Sequence, residues 1–227
     1  MANNIVNLLN PTDNETIIEI GPGQGILTEI ILKKNFNNPF ITIEIDRESV
    51  VYLQNKFNNL IIIQEDILHY HFPQNPLILI GNLPYNISSS ILFKMLENHL
   101  NIRQCVFMLQ KEVVERIVAQ IGTKEYGILS VLLGTFFEMK KEFIVSPTVF
   151  YPMPKVDSAI LTLNRHPTFP IVNFNNLKKV VKTAFGQRRK MLNNTLKSLN
   201  LTIPESLKKL RPEDISITDY IQLSAQL

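Results

Sequence analysis

The sequence predicts an α/β fold: an open sheet of seven strands interleaved with helices, followed by a small helical domain. Three observations predict it. Short apolar, β-branched runs recur through residues 16–163, and helical patterns fill the gaps between them. Several of these runs end in special residues, at the carboxyl edge where open α/β sheets place their ligands. Composition then changes near Asn164 to Pro170, where Pro167 and Pro170 bracket a linker-like stretch and the chain turns basic. The expected boundaries are a sheet domain over residues 1–166 and a helical domain over residues 167–227.

The first strand is Thr16-Ile17-Ile18-Glu19-Ile20, which runs into Gly21-Pro22-Gly23-Gln24-Gly25 and then the helical pattern Ile26 to Leu32. A strand entering a Gly-rich turn and a helix is a nucleotide-type cofactor loop, because glycines let the backbone approach a ligand with no Cβ in the way. The second strand, Phe40 to Ile43, ends in Glu44-Ile45-Asp46, and a helix is expected over 47–57. Glu44 follows Gly25 by 19 residues, the spacing of an acid that holds a ribose diol. The third run, Leu60 to Ile63, leads to Glu65-Asp66-Ile67 and puts the acceptor Asp66 at its tip. The fourth, Leu77 to Ile80, leads into Gly81-Asn82-Leu83-Pro84-Tyr85-Asn86-Ile87-Ser88, with a helix over 88–98 behind it. Strands near 103–110, 137–145 and 156–163 and helices near 111–119 and 128–135 complete the sheet domain. Each strand-end feature alone has an ordinary explanation: a Gly turn, a helix-capping acid, an Asn-x-Pro turn. Four of them in order along some eighty residues are not what random turns produce.

The fourth motif suits alkylation of an exocyclic amine on a planar base. Such an amine is a poor nucleophile, because its lone pair is delocalised into the ring. The Asn82 side-chain oxygen and the Leu83 carbonyl can accept its two hydrogens, which draws the nitrogen toward tetrahedral geometry and frees the lone pair. Pro84 fixes φ and stiffens the turn, and Tyr85 offers a flat face for stacking. The glycine loop selects the cofactor. It is G-x-G-x-G, not the G-x-G-x-x-G built for pyrophosphate, and it lacks the lysine of a P-loop. Glu19 repels a phosphate but suits an ammonium. With Glu44 for a ribose and Asp66 for an adenine 6-amino group, the set describes S-adenosylmethionine.

These stretches resemble the KsgA family of small-subunit ribosomal RNA adenine dimethyltransferases. The match continues through Phe107-Met108-Leu109-Gln110-Lys111-Glu112-Val113, Tyr126-Gly127-Ile128-Leu129-Ser130-Val131, Phe150-Tyr151-Pro152-Met153-Pro154-Lys155-Val156-Asp157-Ser158-Ala159 and Ala184-Phe185-Gly186-Gln187-Arg188-Arg189-Lys190, nearly the whole chain. Amine methyltransferases of DNA adenine or protein glutamine usually carry a second Pro at the Leu83 position. Erm-type methylases of 23S rRNA share the fold and are the nearest confusable relatives. The resemblance implies the Rossmann-like seven-stranded sheet of class I methyltransferases, its last hairpin antiparallel. It implies cofactor contacts at Glu19, Gly21, Gly23, Glu44, Ile45, Asp66, Ile67 and Asn82. It also implies a catalytic set of Asn82, Leu83, Pro84 and Tyr85, with Phe150 opposite Tyr85 so that the two rings sandwich a flipped adenine. The implied reaction is two successive transfers to the 6-amino group of adenine in a 16S rRNA hairpin, with no metal. Family members usually open with a basic segment carrying Gly-Gln-x-Phe-Leu, which closes over the cofactor and helps bind RNA. Here the sequence opens at Met1-Ala2-Asn3-Asn4-Ile5-Val6, where that segment should already have ended, a departure that bears on both cofactor affinity and catalytic competence.

Composition agrees with a cytoplasmic enzyme. The 227 residues suffice for one large domain and one small, and 45% hydrophobic content is ordinary for a globular chain. Cys105 is the lone cysteine and lies in an apolar strand, so no intrachain disulfide is possible. The four histidines lack metal-site spacing, and no apolar run is long enough to span a membrane. The net charge of +3 hides an asymmetry: residues 1–165 carry −3 and residues 166–227 carry +6. Leu177 to Phe185 and Met191 to Leu199 read as amphipathic helices. A basic helical appendage on an acidic domain is the footprint of nucleic-acid binding. A solvated helical face is the plainer account, but Gln187-Arg188-Arg189-Lys190, with no intervening acid, favours phosphate contact. Arg188, Arg189 and Lys190, with Lys155 from the matched Pro-rich run, are therefore the candidate RNA contacts. The partner is small-subunit rRNA or the pre-ribosomal small subunit, met by a monomer. The rival reading is a non-catalytic ribosome-assembly factor that keeps the methyltransferase shell. Intact strand-end motifs argue against it, since Asn82 and Tyr85 have little reason to stay together without the chemistry.

Overall fold

A computed structural model describes residues 1–149 and 156–227 of the chain. The elements run α1 (Ala2–Val6), β1 (Thr16–Ile20), α2 (Ile26–Lys34), β2 (Phe40–Glu44), α3 (Arg47–Lys56), β3 (Ile61–Gln64), β4 (Leu77–Asn82), α4 (Ser88–Glu97) and β5 (Ile102–Gln110). There follow α5 (Lys111–Ile117), α6 (Ile128–Phe136), β6 (Phe137–Val145), β7 (Ser158–Arg165), α7 (Phe174–Gly186), α8 (Leu192–Thr195), α9 (Glu205–Lys208) and α10 (Ile217–Ser224). The strands form one seven-stranded sheet in the order β3-β2-β1-β4-β5-β7-β6. β1 to β5 pair in parallel, and β7 runs antiparallel to β5. The strand order reverses between β1 and β4, which makes their carboxyl ends the topological switch point. β1 and β4 are central and buried along almost their whole length, hence sequences that are apolar apart from Thr16 and Glu19 in β1 and Asn82 at the end of β4. β3 is an edge strand, and Ile61 is 54% exposed there.

Register decides which side chains share a face. Glu19 lies opposite Ile80 and Ile17 opposite Ile78, while Asn82 lies opposite Met108. With a side-chain period of two, Ile17, Glu19, Ile78, Ile80 and Asn82 point to one face. Ile5 and Val6 of α1 and Leu27 and Ile31 of α2 pack into the hydrophobic cluster on that face. Helix α1 has no counterpart in the sequence reading. Five residues are too few to be stable as an isolated helix, and burial of Ile5 and Val6, each worth about 1.5–3 kcal/mol, holds it.

The chain divides into two compact units, Met1–Val114 with Lys140–Arg165, and Glu115–Met139 with His166–Leu227. This differs from the expected division at residues 166 and 167, because Glu115–Met139 joins the second unit. The reason is α6, whose apolar residues are buried almost all round and which packs on α7 and α10. The His166 amide also donates to the Phe136 carbonyl at 3.0 Å. In this unit α7 is the amphipathic helix expected, capped by the Asn173 side chain. The helix expected over 191–199 is instead the four-residue α8 followed by a 3-10 turn at Lys197–Leu199. Asn and Ser have low helix propensity, and Asn200 ends the segment at φ 52°. Helices α9 and α10 were not anticipated.

Candidate active site

Gly21 and Gly23 follow β1 at φ 65° and 53°, where a Cβ is disfavoured. An added Cβ at either would meet no atom within 4 Å. Backbone conformation, not crowding, requires glycine there, and the wall of the site stays open. Gly81 is different. A Cβ on it would stand 2.5 Å from the Ile20 carbonyl oxygen, so glycine lets the ends of β1 and β4 close together. That approach brings Asn82 beside the glycine loop.

Glu19, Gly21, Gly23 and Asn82 line one cavity of about 360 Å³, together with Met1, Ala2 and Ile5 of the opening segment. Among the described residues the Asn82 side-chain amide has no hydrogen-bond partner, so it faces the cavity uncommitted. Glu19 is 1% exposed. Thr28, on the buried stripe of α2, donates to Glu19 Oε2 at 2.6 Å. Burial pushes the Glu19 carboxyl up to about 7; the Thr28 hydrogen bonds oppose this and the nearby Glu44 charge adds to it.

A second cavity, of about 230 Å³, shares Gly21 and is lined by Glu44, Ile45, Asp66 and Ile67. Glu44 accepts from the Gly23 amide on Oε2 and from the Asp46 amide on Oε1, both at 3.0 Å. Two backbone amides thus aim the carboxylate while each oxygen keeps a further lone pair. The Glu65 amide donates to the Glu44 carbonyl at 3.1 Å, which holds the β3 tip against the β2 tip. Asp66 Oδ1 accepts from the Leu68 amide at 2.8 Å, and Oδ2 lies 3.8 Å from His69 Nδ1. Ile45 is 65% exposed and Ile67 is buried, which gives this half of the cleft apolar walls.

The Leu83 amide donates to the Met108 carbonyl at 3.1 Å and the Leu83 side chain is buried, so the motif backbone is tied to β5. Pro84 belongs to the wall of the second cavity. Tyr85 is half-buried, and its hydroxyl lies 2.7 Å from Ser158 Oγ. The site residues foreseen around the glycine loop, Glu44, Asp66 and Asn82 therefore lie together at one sheet edge. Phe150 and Lys155 lie outside the described residues. In the second unit the basic cluster is divided. Arg189 and Lys190 are exposed, whereas Arg188 turns inward: its Nε lies 3.5 Å from Glu213 Oε2 and its Nη2 donates to the Thr123 carbonyl at 3.3 Å. Among the described residues no group of three or more His, Cys, Asp or Glu side chains could hold a metal ion, and no helix is long and apolar enough to cross a membrane.

Three residues were missed as contributors. Thr28 carried a signal, a hydroxyl on the apolar stripe between Leu27 and Ile31. Gly81 carried one too, a glycine inside a strand pattern, which marks close backbone approach. Ser158 carried only its place in the matched run at 150–159; the fold alone brings it to Tyr85.

The family model of ribosomal RNA adenine dimethylases matches residues 1–223 of the chain. A ribosomal RNA small subunit methyltransferase A from Coxiella burnetii is 41% identical over 97% of this chain and 90% of its own length. That of Bacteroides thetaiotaomicron is 42% identical over 100% of this chain and 88% of its own length. Among solved structures, a dimethyladenosine transferase from Plasmodium falciparum superposes with a TM-score of 0.83 at 25% identity, covering 98% of this chain and 93% of that one. The 23S rRNA methyltransferase ErmE shares the fold, with a TM-score of 0.73 at 22% identity over 99% of this chain and 97% of its own.

Proposed function

The chain belongs to the ribosomal RNA adenine dimethylase family, and from that premise we propose how its own residues dimethylate the 6-amino group of adenine in small-subunit rRNA. The observation that carries the reading is the placement of Asn82. Its uncommitted amide lines the same cavity as Glu19, Gly21 and Gly23, so an amine acceptor and a cofactor loop share one space.

The donor set fits S-adenosylmethionine. Glu44 keeps lone pairs for a ribose diol, the walls of Ile45 and Ile67 suit a flat base, and Asp66 supplies an acceptor for its amino group. In the larger cavity Glu19, once ionised, accepts from the ammonium of the methionine part. The chemistry S-adenosylmethionine supplies when bound is a methyl group on sulfur, so that an N–C bond forms as the S–C bond breaks and a proton passes from the amine to water. The chain's residues do the rest. The Asn82 oxygen and the Leu83 carbonyl accept the two amine hydrogens and localise the nitrogen lone pair. Pro84 keeps these acceptors in register, and Tyr85 supports the base. Most of the rate gain is positional. The second unit supplies rRNA contacts through Arg189 and Lys190, while Arg188 braces the turn that presents them. The enzyme acts as a cytoplasmic monomer on small-subunit rRNA or its pre-ribosomal particle.

Asn82→Ala tests the assignment. Single-turnover transfer should fall by about 100-fold or more, the scale of losing one preorganised polar contact to a transition state, with RNA affinity near that of the parent. A rate within a few-fold of the parent removes Asn82 from the chemistry.

A further inference from the structure

Tyr85 is held at both ends. Its carbonyl accepts from Ser88 Oγ at 3.2 Å, and Ser88 is the buried first residue of α4. Its hydroxyl meets Ser158 Oγ at 2.7 Å. Ser158 is fully buried and opens β7. It lies opposite Gln110, the last residue of β5, and the neighbouring Asp157 carbonyl accepts from the Lys111 amide at 3.0 Å. The ring of Tyr85 is therefore seated against the rigid end of a sheet strand and is not free to swing in a loop.

We propose that Ser158 is a positioning residue that acts through Tyr85 and governs whether a second methyl transfer follows the first. The inference rests on the reading of Tyr85 as the platform for the target base. During the first transfer the amine offers two N–H groups, and Asn82 and the Leu83 carbonyl take both. After it, one N–H remains, so one of the two hydrogen bonds that aim the nitrogen is gone. The new methyl group must also turn away before the lone pair can face the donor again. In the second transfer the plane of the base is set less by the amine and more by its seat. A ring pinned at its hydroxyl keeps that plane while the amine rotates; a loose ring lets base and amine move together, and the half-methylated base drifts out of line. Ser158 thus matters little to the first bond and much to the second.

The experiment uses the full chain, S-adenosylmethionine and unmethylated small-subunit rRNA particles. Mass spectrometry of digested rRNA follows N6-monomethyladenosine and N6,N6-dimethyladenosine over time. Ser158→Ala should raise the peak fraction of the monomethyl species at least five-fold, with cofactor affinity and melting temperature close to the parent. Ser158→Thr, which keeps the hydroxyl, should restore the parental ratio. Tyr85→Phe should raise the monomethyl fraction to the same extent, and the double variant should do no more than either single one. Should Ser158→Ala melt early, Tyr85→Phe reads the same contact from the other side. A parental product ratio in Ser158→Ala and Tyr85→Phe, or an equal slowing of both transfers, overturns the inference. An active Asn82→Ala enzyme would instead undo the underlying reading of the site, which keeps the two failures apart.

Discussion

Replacing Glu19 with Gln removes a carboxyl group that burial holds away from its ordinary ionisation. In an unfolded chain this group titrates near 4.5, and in the folded protein it is pushed up to about 7. Between those values the unfolded chain has shed a proton that the folded chain keeps, so stability falls as pH rises from about 4.5 to about 7 and then levels off. The interval corresponds to roughly 3 kcal/mol. Glu19 is 1% exposed, so solvent does little to dilute the effect. Gln keeps the shape and an acceptor for the Thr28 hydroxyl and carries no charge at any pH. The variant should therefore resemble the parent near pH 5 and exceed it by about 2–3 kcal/mol at pH 8. Urea midpoints of the ligand-free proteins at four pH values between 5 and 8 measure this directly. A stability difference that does not change with pH would show that Glu19 is not the titrating group, and the reasoning from its burial would be wrong. The same variant should bind S-adenosylmethionine more weakly, because an amide cannot supply the ionised acceptor that an ammonium favours.

Gly81→Ala should destabilise the protein by about 1–3 kcal/mol, the usual cost of forcing extra atoms into a closed site, since its Cβ would stand 2.5 Å from the Ile20 carbonyl oxygen; a melting temperature equal to the parent's refutes the close-approach argument. Glu44→Ala should weaken S-adenosylmethionine binding by roughly 1.5–3 kcal/mol, the range for charge-assisted hydrogen bonds, and calorimetry showing parental affinity removes Glu44 from the ribose role. Replacing Arg189 and Lys190 together with Gln should lower the slope of log RNA affinity against log salt by about 1.4–1.8, given about 0.7–0.9 per phosphate contact; an unchanged slope makes them a solvated face. Arg188→Gln should chiefly lower the unfolding midpoint, because Glu213 Oε2 is buried without a hydrogen-bond partner among the described residues and the Arg188 guanidinium lies 3.5 Å away.

The sequence by itself determined the strands, the order of their special ends and most of the residues that line the candidate site. β1, β2 and β4 read clearly because inner parallel strands are rich in apolar, β-branched residues, and Gly21, Glu44, Asp66 and Asn82 read clearly because each ends or follows such a run. These are local signals, and local signals survive in a linear string. Short or broken helices did not: α1 owes its existence to burial of Ile5 and Val6, and the helix expected over 191–199 is α8 followed by a 3-10 turn that Asn200 ends in the left-handed region. Nor did the unit boundary, since Glu115–Met139 joins the second unit through the packing of α6 on α7 and α10. Only the tertiary structure decided the partners of the site residues. Thr28 meets Glu19 because α2 covers the face to which period two assigns Glu19. Ser158 meets Tyr85 because β7 runs antiparallel, which brings its first residue to the edge where the parallel strands end. Arg188, alike in sequence to Arg189, is drawn inward by Glu213 and the Thr123 carbonyl. Such pairings join residues far apart in the chain, and their geometry follows from register and strand direction, which no short window of sequence contains.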